Sequence, residues 1–147
     1  MNDVIVYNWN NKVGPNDIVY ILGDFALTST ERTKYFLENL NGKKIFILGD
    51  HDKQIWQCRN YFEEITPLKN IRIMDIPITL CHYCMRVWSK SHYNSWHLYG
   101  HSHGHLSPIG KSHDVGVDNN NFAPVSFDEI KTIMDNRPNN ANYIKDR

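Results

Sequence analysis

Three apolar runs in this chain end in a glycine followed at once by a side chain able to hold a metal ion. They are Leu22-Gly23-Asp24, Leu48-Gly49-Asp50-His51-Asp52 and Tyr99-Gly100-His101-Ser102-His103. A fourth apolar run ends in Leu80-Cys81-His82. Glycine at such a point lets the backbone turn sharply and lets a ligand come close. Strand ends gathered on one edge of a sheet are where α/β proteins build sites. Asp24, Asp50, His82, His101 and His103 form a mixed oxygen and nitrogen donor set with no thiolate. Such a set suits Mn²⁺, Fe or Zn²⁺ better than Ca²⁺ or an iron–sulfur cluster. A bridging carboxylate flanked by neutral imidazoles is the usual material of a two-metal hydrolytic centre, which holds a hydroxide and clamps a phosphoryl group. His101 and His103 lie two residues apart, close enough on one turn to serve adjacent ions.

The elements that must position these residues follow from the apolar pattern. Residues 3–13 read as a helix, with Ile5, Trp9 and Val13 on one face and Gly14-Pro15 as its stop. Residues 18–22 read as a strand buried on both faces. Thr28-Ser-Thr-Glu31 is a capping box opening a helix to about Leu40, closed by Asn41-Gly42. Residues 43–48 repeat the apolar strand, and 53–62 read as helical. Residues 70–76 and 78–82 read as two strands around a turn at Pro77, followed by a polar and aromatic loop over 83–95. Residues 96–99 and 113–118 are two further strands, and Ser126-x-x-Glu129 opens a helix to about Asn136. Strands alternate with helices early and cluster late, which predicts one mixed α/β domain over 1–136 and a polar tail over 137–147.

The 147 residues are 41% hydrophobic, enough for one domain with a core. Lys+Arg and Asp+Glu both number 16, and this neutral balance argues against a protein that coats nucleic acid or an anionic membrane. No apolar run approaches a membrane span, and the N-terminus lacks the pattern of a signal peptide. Cys58, Cys81 and Cys84 are too few for a disulfide framework, so the expectation is a reduced, cytoplasmic protein. Cys81-x-x-Cys84 has no second half to complete a zinc ribbon.

The ordered set Gly23-Asp24, Gly49–Asp52, His82 and Gly100–His103 resembles the calcineurin-like metallophosphoesterases. The text around it (NDIVYILGDFA, LCHYCMRVW, WHLYGHSHG, DVGVDNN) is similar to small bacterial and phage-type members, and the likeness spans about residues 3–130. The resemblance implies a four-layer α/β/β/α sandwich and hydrolysis of a phosphomonoester or phosphodiester by a metal-activated hydroxide. It implies that Asp24 bridges two ions, that Asp50, His82 and His101 complete one of them, and that His103 binds the other. His51 would be the general acid. Mn²⁺ is the first expectation for the cofactor, with Zn²⁺, Fe or Ni as alternatives. The expected ligand is a phosphate-ester small molecule or nucleotide, without stable nucleic-acid binding.

Three departures from the family pattern bear on function. The family usually has Asn at the position of Asp50; a carboxylate there adds charge and still ligates through one oxygen. The family begins with a strand ending in Asp-x-His, and this chain contains no Asp-x-His. One metal position therefore keeps Asp24, Asp50, His82 and His101, while the other keeps Asp24 and His103. A clipped or misassigned start, a natural one-metal short form, and a partner chain that supplies the strand all fit, with clipping ranked first because the remaining ligands look intact. The same gap supports an alternative function, an impaired member acting as a metal-binding or scaffold protein. Thirdly, Leu27 and Thr28 stand where protein phosphatases of the superfamily carry a further Asp and Arg, which argues against that activity. Arg86 and Lys90 are the candidates left for gripping phosphate, alongside their plain reading as solvated loop cations.

Other polar residues have plainer expectations. His92, His97, His105 and His113 are expected not to be ligands, with His97 a satisfied strand residue. Asp52 is expected to support its turn or orient His51. Asp114 and Asp118 are expected to shape their loop or to contact the histidines. Trp9, Trp56, Trp88 and Trp96 are expected to pack, while Tyr83 and Trp88 could stack on a nucleobase. A zinc-finger-like module from Cys81, Cys84, His101 and His103 would leave Asp24 and Asp50 unexplained.

Overall fold

The computed structural model describes residues 2–25 and 29–141. Leu27, Thr28 and the tail from 142 onward, which carry three of the expectations above, lie outside the described residues. The chain is a mixed α/β protein with two sheets. Helix α1 (Asn2–Lys12) leads into β1 (Ile18–Ile21), α2 (Thr30–Asn39) and β2 (Lys43–Ile47). A 3-10 helix (Lys53–Tyr61) and β3 (Glu64–Thr66) follow. The second half is β4 (Leu68–Ile73), β5 (Ile76–Cys81), β6 (Trp96–Tyr99), β7 (Ser112–Asp114), a 3-10 turn (Val117–Asn119) and α3 (Phe127–Asp135). One sheet has the order β1-β2-β3, all parallel, and the other the order β4-β5-β6-β7. β4 runs antiparallel to β5, and β5, β6 and β7 are parallel.

Alternation along β1 and β2 assigns their two faces. Tyr20, Leu22, Ile45 and Ile47 meet Ile78, Leu80, Trp96 and Leu98 of the other sheet, with Ile130 and Met134 of α3 joining the same cluster. Val19, Ile21, Phe46 and Leu48 face the opposite way, onto Trp9 of α1, Val13 just past its end and Ile55 of the 3-10 helix. Phe46, Ile47 and Ile55 are fully buried. At about 1.5–3 kcal/mol for each buried side chain of this size, burial on both faces holds β2 at the centre of its sheet. Trp96 stacks on Phe127 with ring centroids 5.3 Å apart, tying α3 to β6. Trp9, Trp88 and Trp96 pack as expected, whereas Trp56 is exposed.

Several boundaries differ from the sequence expectation for identifiable reasons. The strand at 18–22 was expected to be buried on both faces, yet Ile18 is 56% exposed. Among the described residues β1 pairs with β2 alone, so it is an edge strand. The capping residue of α2 is Ser29, whose Oγ accepts from Arg32 N–H at 3.2 Å. The turn between β4 and β5 falls at Met74 and Asp75, which have φ of 49° and 64°. Two successive positive φ values make the tight hairpin turn that matches strand twist, and neither residue is the usual glycine or asparagine. Pro77, expected to make that turn, is a strand residue opposite Arg72. Pairing with β6 starts one residue later, at Ile78, so Pro77 occupies an edge-like position where no N–H is needed. Ser126 caps α3 as the sequence indicates, its Oγ accepting from Glu129 N–H at 3.2 Å. β3 has no counterpart in the sequence expectation, and the strand at 113–118 shortens to β7 plus a 3-10 turn.

His97 is fully buried on the outer face of the second sheet, between Trp88 and Tyr99. Its Nδ1–H donates to Thr79 O at 3.0 Å and its Nε2 accepts from Met85 N–H at 2.9 Å. Both ring nitrogens are satisfied only in the neutral form, and burial lowers its pKa below the ordinary 6.5. The unfolded chain therefore binds more protons below that pH, and stability should fall as the pH drops from about 6.5 toward the lower folded value. His113, also lowered by burial, adds to the same slope. Urea midpoints at about pH 7.5 and about pH 5.5 should differ less in His97→Gln than in wild type. Equal slopes would remove His97 from this role.

Candidate metal centre

The strand ends expected to meet do meet. β1 and β2 lead into Gly23-Asp24 and Gly49-Asp50, and β5 and β6 of the other sheet lead into His82 and Gly100-His101. Gly100 N–H donates to His82 O at 3.0 Å, aligning the last two ends. Glycine is required at two of these points. A Cβ on Gly23, whose φ is +80°, would sit 2.4 Å from His82 Nδ1 and 2.9 Å from the Cα of Gly49. A Cβ on Gly49 would lie 2.8 Å from Asp24 Oδ1 and 3.0 Å from Asp24 N. Asp24 and His101 themselves hold φ of 52° and 66°. Such conformations are costly for residues with a Cβ, and they persist where surrounding structure fixes them, often at functional sites.

His82 is the buried member of the site, with its side chain 1% exposed. Its Nδ1 lies 2.6 Å from Leu22 O, an acceptor only, so Nδ1 carries the proton. Nε2 is left with its lone pair 3.3 Å from Asp24 Oδ2 and 3.2 Å from His101 Nδ1. A ring nitrogen anchored to a carbonyl is the usual way to fix the tautomer of a metal-binding histidine. One ligand atom each from Asp24, His82 and His101 fall within 4.8 Å of one another. These donors fit a small divalent cation: one carboxylate oxygen and two imidazole nitrogens, drawn together in a glycine-lined cradle.

Asp50 stands at the rim. Its Oδ2 is 3.4 Å from His101 Nδ1, and its Oδ1 accepts from the Tyr83 hydroxyl. That hydrogen bond lowers the pKa of Asp50 and raises that of Tyr83 to about 12. His51 is exposed, and its backbone N–H donates to Asp24 Oδ1 at 3.0 Å.

His103 does not join the three clustered ligands. Its Nδ1 lies 2.6 Å from Asp118 Oδ2, and the side chain is 70% exposed. The carboxylate raises its pKa and leaves Nε2 as the remaining ligand atom. Asp114 braces the same turn, its Oδ2 accepting from Gly104 N–H at 3.0 Å. The contact of Asp118 with a histidine was among the sequence expectations, but its choice of His103 depends on how the turn closes.

The two loop cations follow the chain out of the cluster. Arg86 O accepts from Asn140 Nδ2 at 2.6 Å, and Asn140 N–H donates to Ser91 O at 3.1 Å. Asn140 also packs against Gly110, two residues before β7. This is the end of the sheet opposite His82. Lys90 lines an open cleft with Arg72, Asp75 and Pro77, beside the β4–β5 turn at that same far end. The loop backbone at Arg86 is thus tied to Asn140, and Lys90 lies beside the β4–β5 turn.

Asp52 does more than support one turn. Its carboxylate, 4% exposed, accepts from Asp24 N–H at 2.9 Å, Gly49 N–H at 2.6 Å and Phe25 N–H at 3.1 Å. It ties the two aspartate loops together, and burial pushes its pKa up against the pull of those three donors. Asp52→Asn presents an NH₂ to backbone donors and should cost about 1.5–3 kcal/mol, the range for hydrogen bonds to a charged group. Urea unfolding of metal-free protein measures it; an unchanged midpoint would show that the loops hold without this carboxylate.

These features define a mixed α/β protein with an aspartate–histidine cluster at converging strand ends. No family model matches the chain. It is 32% identical over 144 residues to the uncharacterized protein MJ1445 of Methanocaldococcus jannaschii, a match covering 92% of this chain and 76% of that one. The chain belongs to the same family as MJ1445. The crystal structure of AQ665 from Aquifex aeolicus, a protein of unknown function, is similar with a TM-score of 0.70 and 25% identity, over 90% of this chain and 84% of that one.

Proposed function

We propose that this protein is a metal-dependent phosphoesterase of the calcineurin-like metallophosphoesterase kind, with its two sheets and helices forming that family's four-layer sandwich. The observation that carries the reading is the meeting of Asp24, His82 and His101 at strand ends of both sheets, with the His82 lone pair turned toward the other two. Asp24, His82 and His101 would hold a divalent cation, Mn²⁺ by donor type, and Asp50 would add an oxygen at the rim. A cation held there would supply Lewis-acid charge at a phosphoryl oxygen and make a water more acidic. His103, with Nδ1 held by Asp118, would offer Nε2 to a second cation. His51 is exposed beside Asp24 and donates the proton that the leaving oxygen needs. Arg86, in the loop after His82, is the candidate for gripping the phosphate.

The substrate class is a phosphate-ester small molecule or nucleotide, and the site of action is the cytoplasm. No helix among the described residues is long and apolar enough to cross a membrane. The competing reading is a metal-binding or scaffold protein without turnover, favoured by the position of His103 outside the three-residue cluster. Hydrolysis of p-nitrophenyl phosphate and bis-p-nitrophenyl phosphate with Mn²⁺ separates the two. Turnover on either ester supports the enzyme; metal binding without turnover on both would leave the scaffold reading.

A further inference from the structure

We propose that Tyr83 and Asp50 are a matched pair, in which the Tyr83 hydroxyl occupies one oxygen of Asp50 and leaves a single oxygen for the cation. The inference rests on the metal reading above and assigns a positioning residue to it. Tyr83 donates to Asp50 Oδ1, while Asp50 Oδ2 lies 3.4 Å from His101 Nδ1. The phenol is held from behind by two clustered ligands. Its ring meets His82 edge-on at 5.0 Å and lies 5.3 Å from His101 at a tilt of 56°. The hydroxyl therefore reaches Asp50 from a ring whose position the histidines fix.

The chemistry of the pairing follows from the carboxylate. A carboxylate with two open oxygens can grip a cation with both, a mode suited to large ions such as Ca²⁺. With Oδ1 engaged by a hydroxyl, Asp50 offers one oxygen, as an asparagine would, and the site favours a smaller ion with imidazole ligands. Tyr83 thus reconciles an aspartate with a one-oxygen position and selects Mn²⁺ over Ca²⁺.

A double-mutant cycle in metal affinity tests this, because Tyr83→Phe keeps the ring contacts and removes only the hydroxyl. Calorimetric titration with Mn²⁺ and with Ca²⁺ is run on wild type, Tyr83→Phe, Asp50→Asn and the double variant. Tyr83→Phe should weaken Mn²⁺ binding about tenfold, the scale of losing a hydrogen bond behind a ligand, and should narrow the preference over Ca²⁺. In the Asp50→Asn background the same change should cost less than about threefold, since a carboxamide accepts no comparable charge-assisted bond there. An equal loss in both backgrounds, or none in either, overturns the pairing while leaving the metal site standing. Absence of Mn²⁺ binding in wild type overturns the pairing and the metal reading together.

Discussion

His82→Ala should weaken Mn²⁺ binding by more than about 100-fold, beyond the usual range for changes behind the ligands, and should remove phosphoesterase turnover with it. The expectation follows from where His82 stands. It is the buried member of the cluster, and its Nε2 faces both Asp24 Oδ2 and His101 Nδ1. It is also the one whose tautomer the fold dictates, through the 2.6 Å contact with Leu22 O. Removing the ring leaves Asp24 and His101, both partly solvated, with no second nitrogen between them. Alanine also leaves a space beside Gly23, so some stability is lost as well. His82→Gln, which fills more of that space, separates the effects. Both variants should lose the metal, and glutamine should recover part of the urea midpoint. Calorimetry reads the affinity, and retention of wild-type Mn²⁺ binding by either variant would move the site elsewhere.

His51→Ala should lower turnover by about 100- to 10,000-fold, the range for loss of a general acid, while leaving Mn²⁺ affinity within about twofold. The side chain is exposed, and the anchoring contact with Asp24 Oδ1 is made by the backbone N–H, which alanine keeps. Proton donation matters most when the leaving oxygen is basic. The loss should therefore be larger on an alkyl phosphate than on p-nitrophenyl phosphate, whose phenolate leaves readily. Steady-state rates on the two esters check this. A uniform loss on both esters, together with weaker metal binding, would recast His51 as a structural residue.

The candidate cluster was legible in sequence where its signals are local. Gly23, Gly49 and Gly100 sit at strand ends because side chains there would collide with His82 or Asp24 or crowd Leu22 O, and that demand shows as an apolar run, a glycine and a ligand. Ser126 was equally legible, since a capping bond spans three residues. Contacts that depend on which loops become neighbours were not. Nothing in the spacing shows Asp52 accepting three backbone N–H bonds from two loops, or the Tyr83 hydroxyl reaching Asp50 from the other sheet. His103 lies two residues beyond His101, but the turn at Gly104 and the position of Asp118 aim it differently. Lys90 follows His82 closely in sequence, yet the loop runs back along the sheet and leaves it at the far end. The β4–β5 turn was masked because Met74 and Asp75 take positive φ without glycine, while the nearby Pro77 looked like the breaker.

The most direct test is the rate of bis-p-nitrophenyl phosphate hydrolysis by chelator-stripped wild-type protein as Mn²⁺ is added back. Binding at Asp24, His82 and His101 predicts no rate without metal, a saturable rise on titration, and no rise in His82→Ala carried through the same steps. A rate that persists in excess chelator, or that rises equally in His82→Ala, would contradict phosphoester hydrolysis at this cluster.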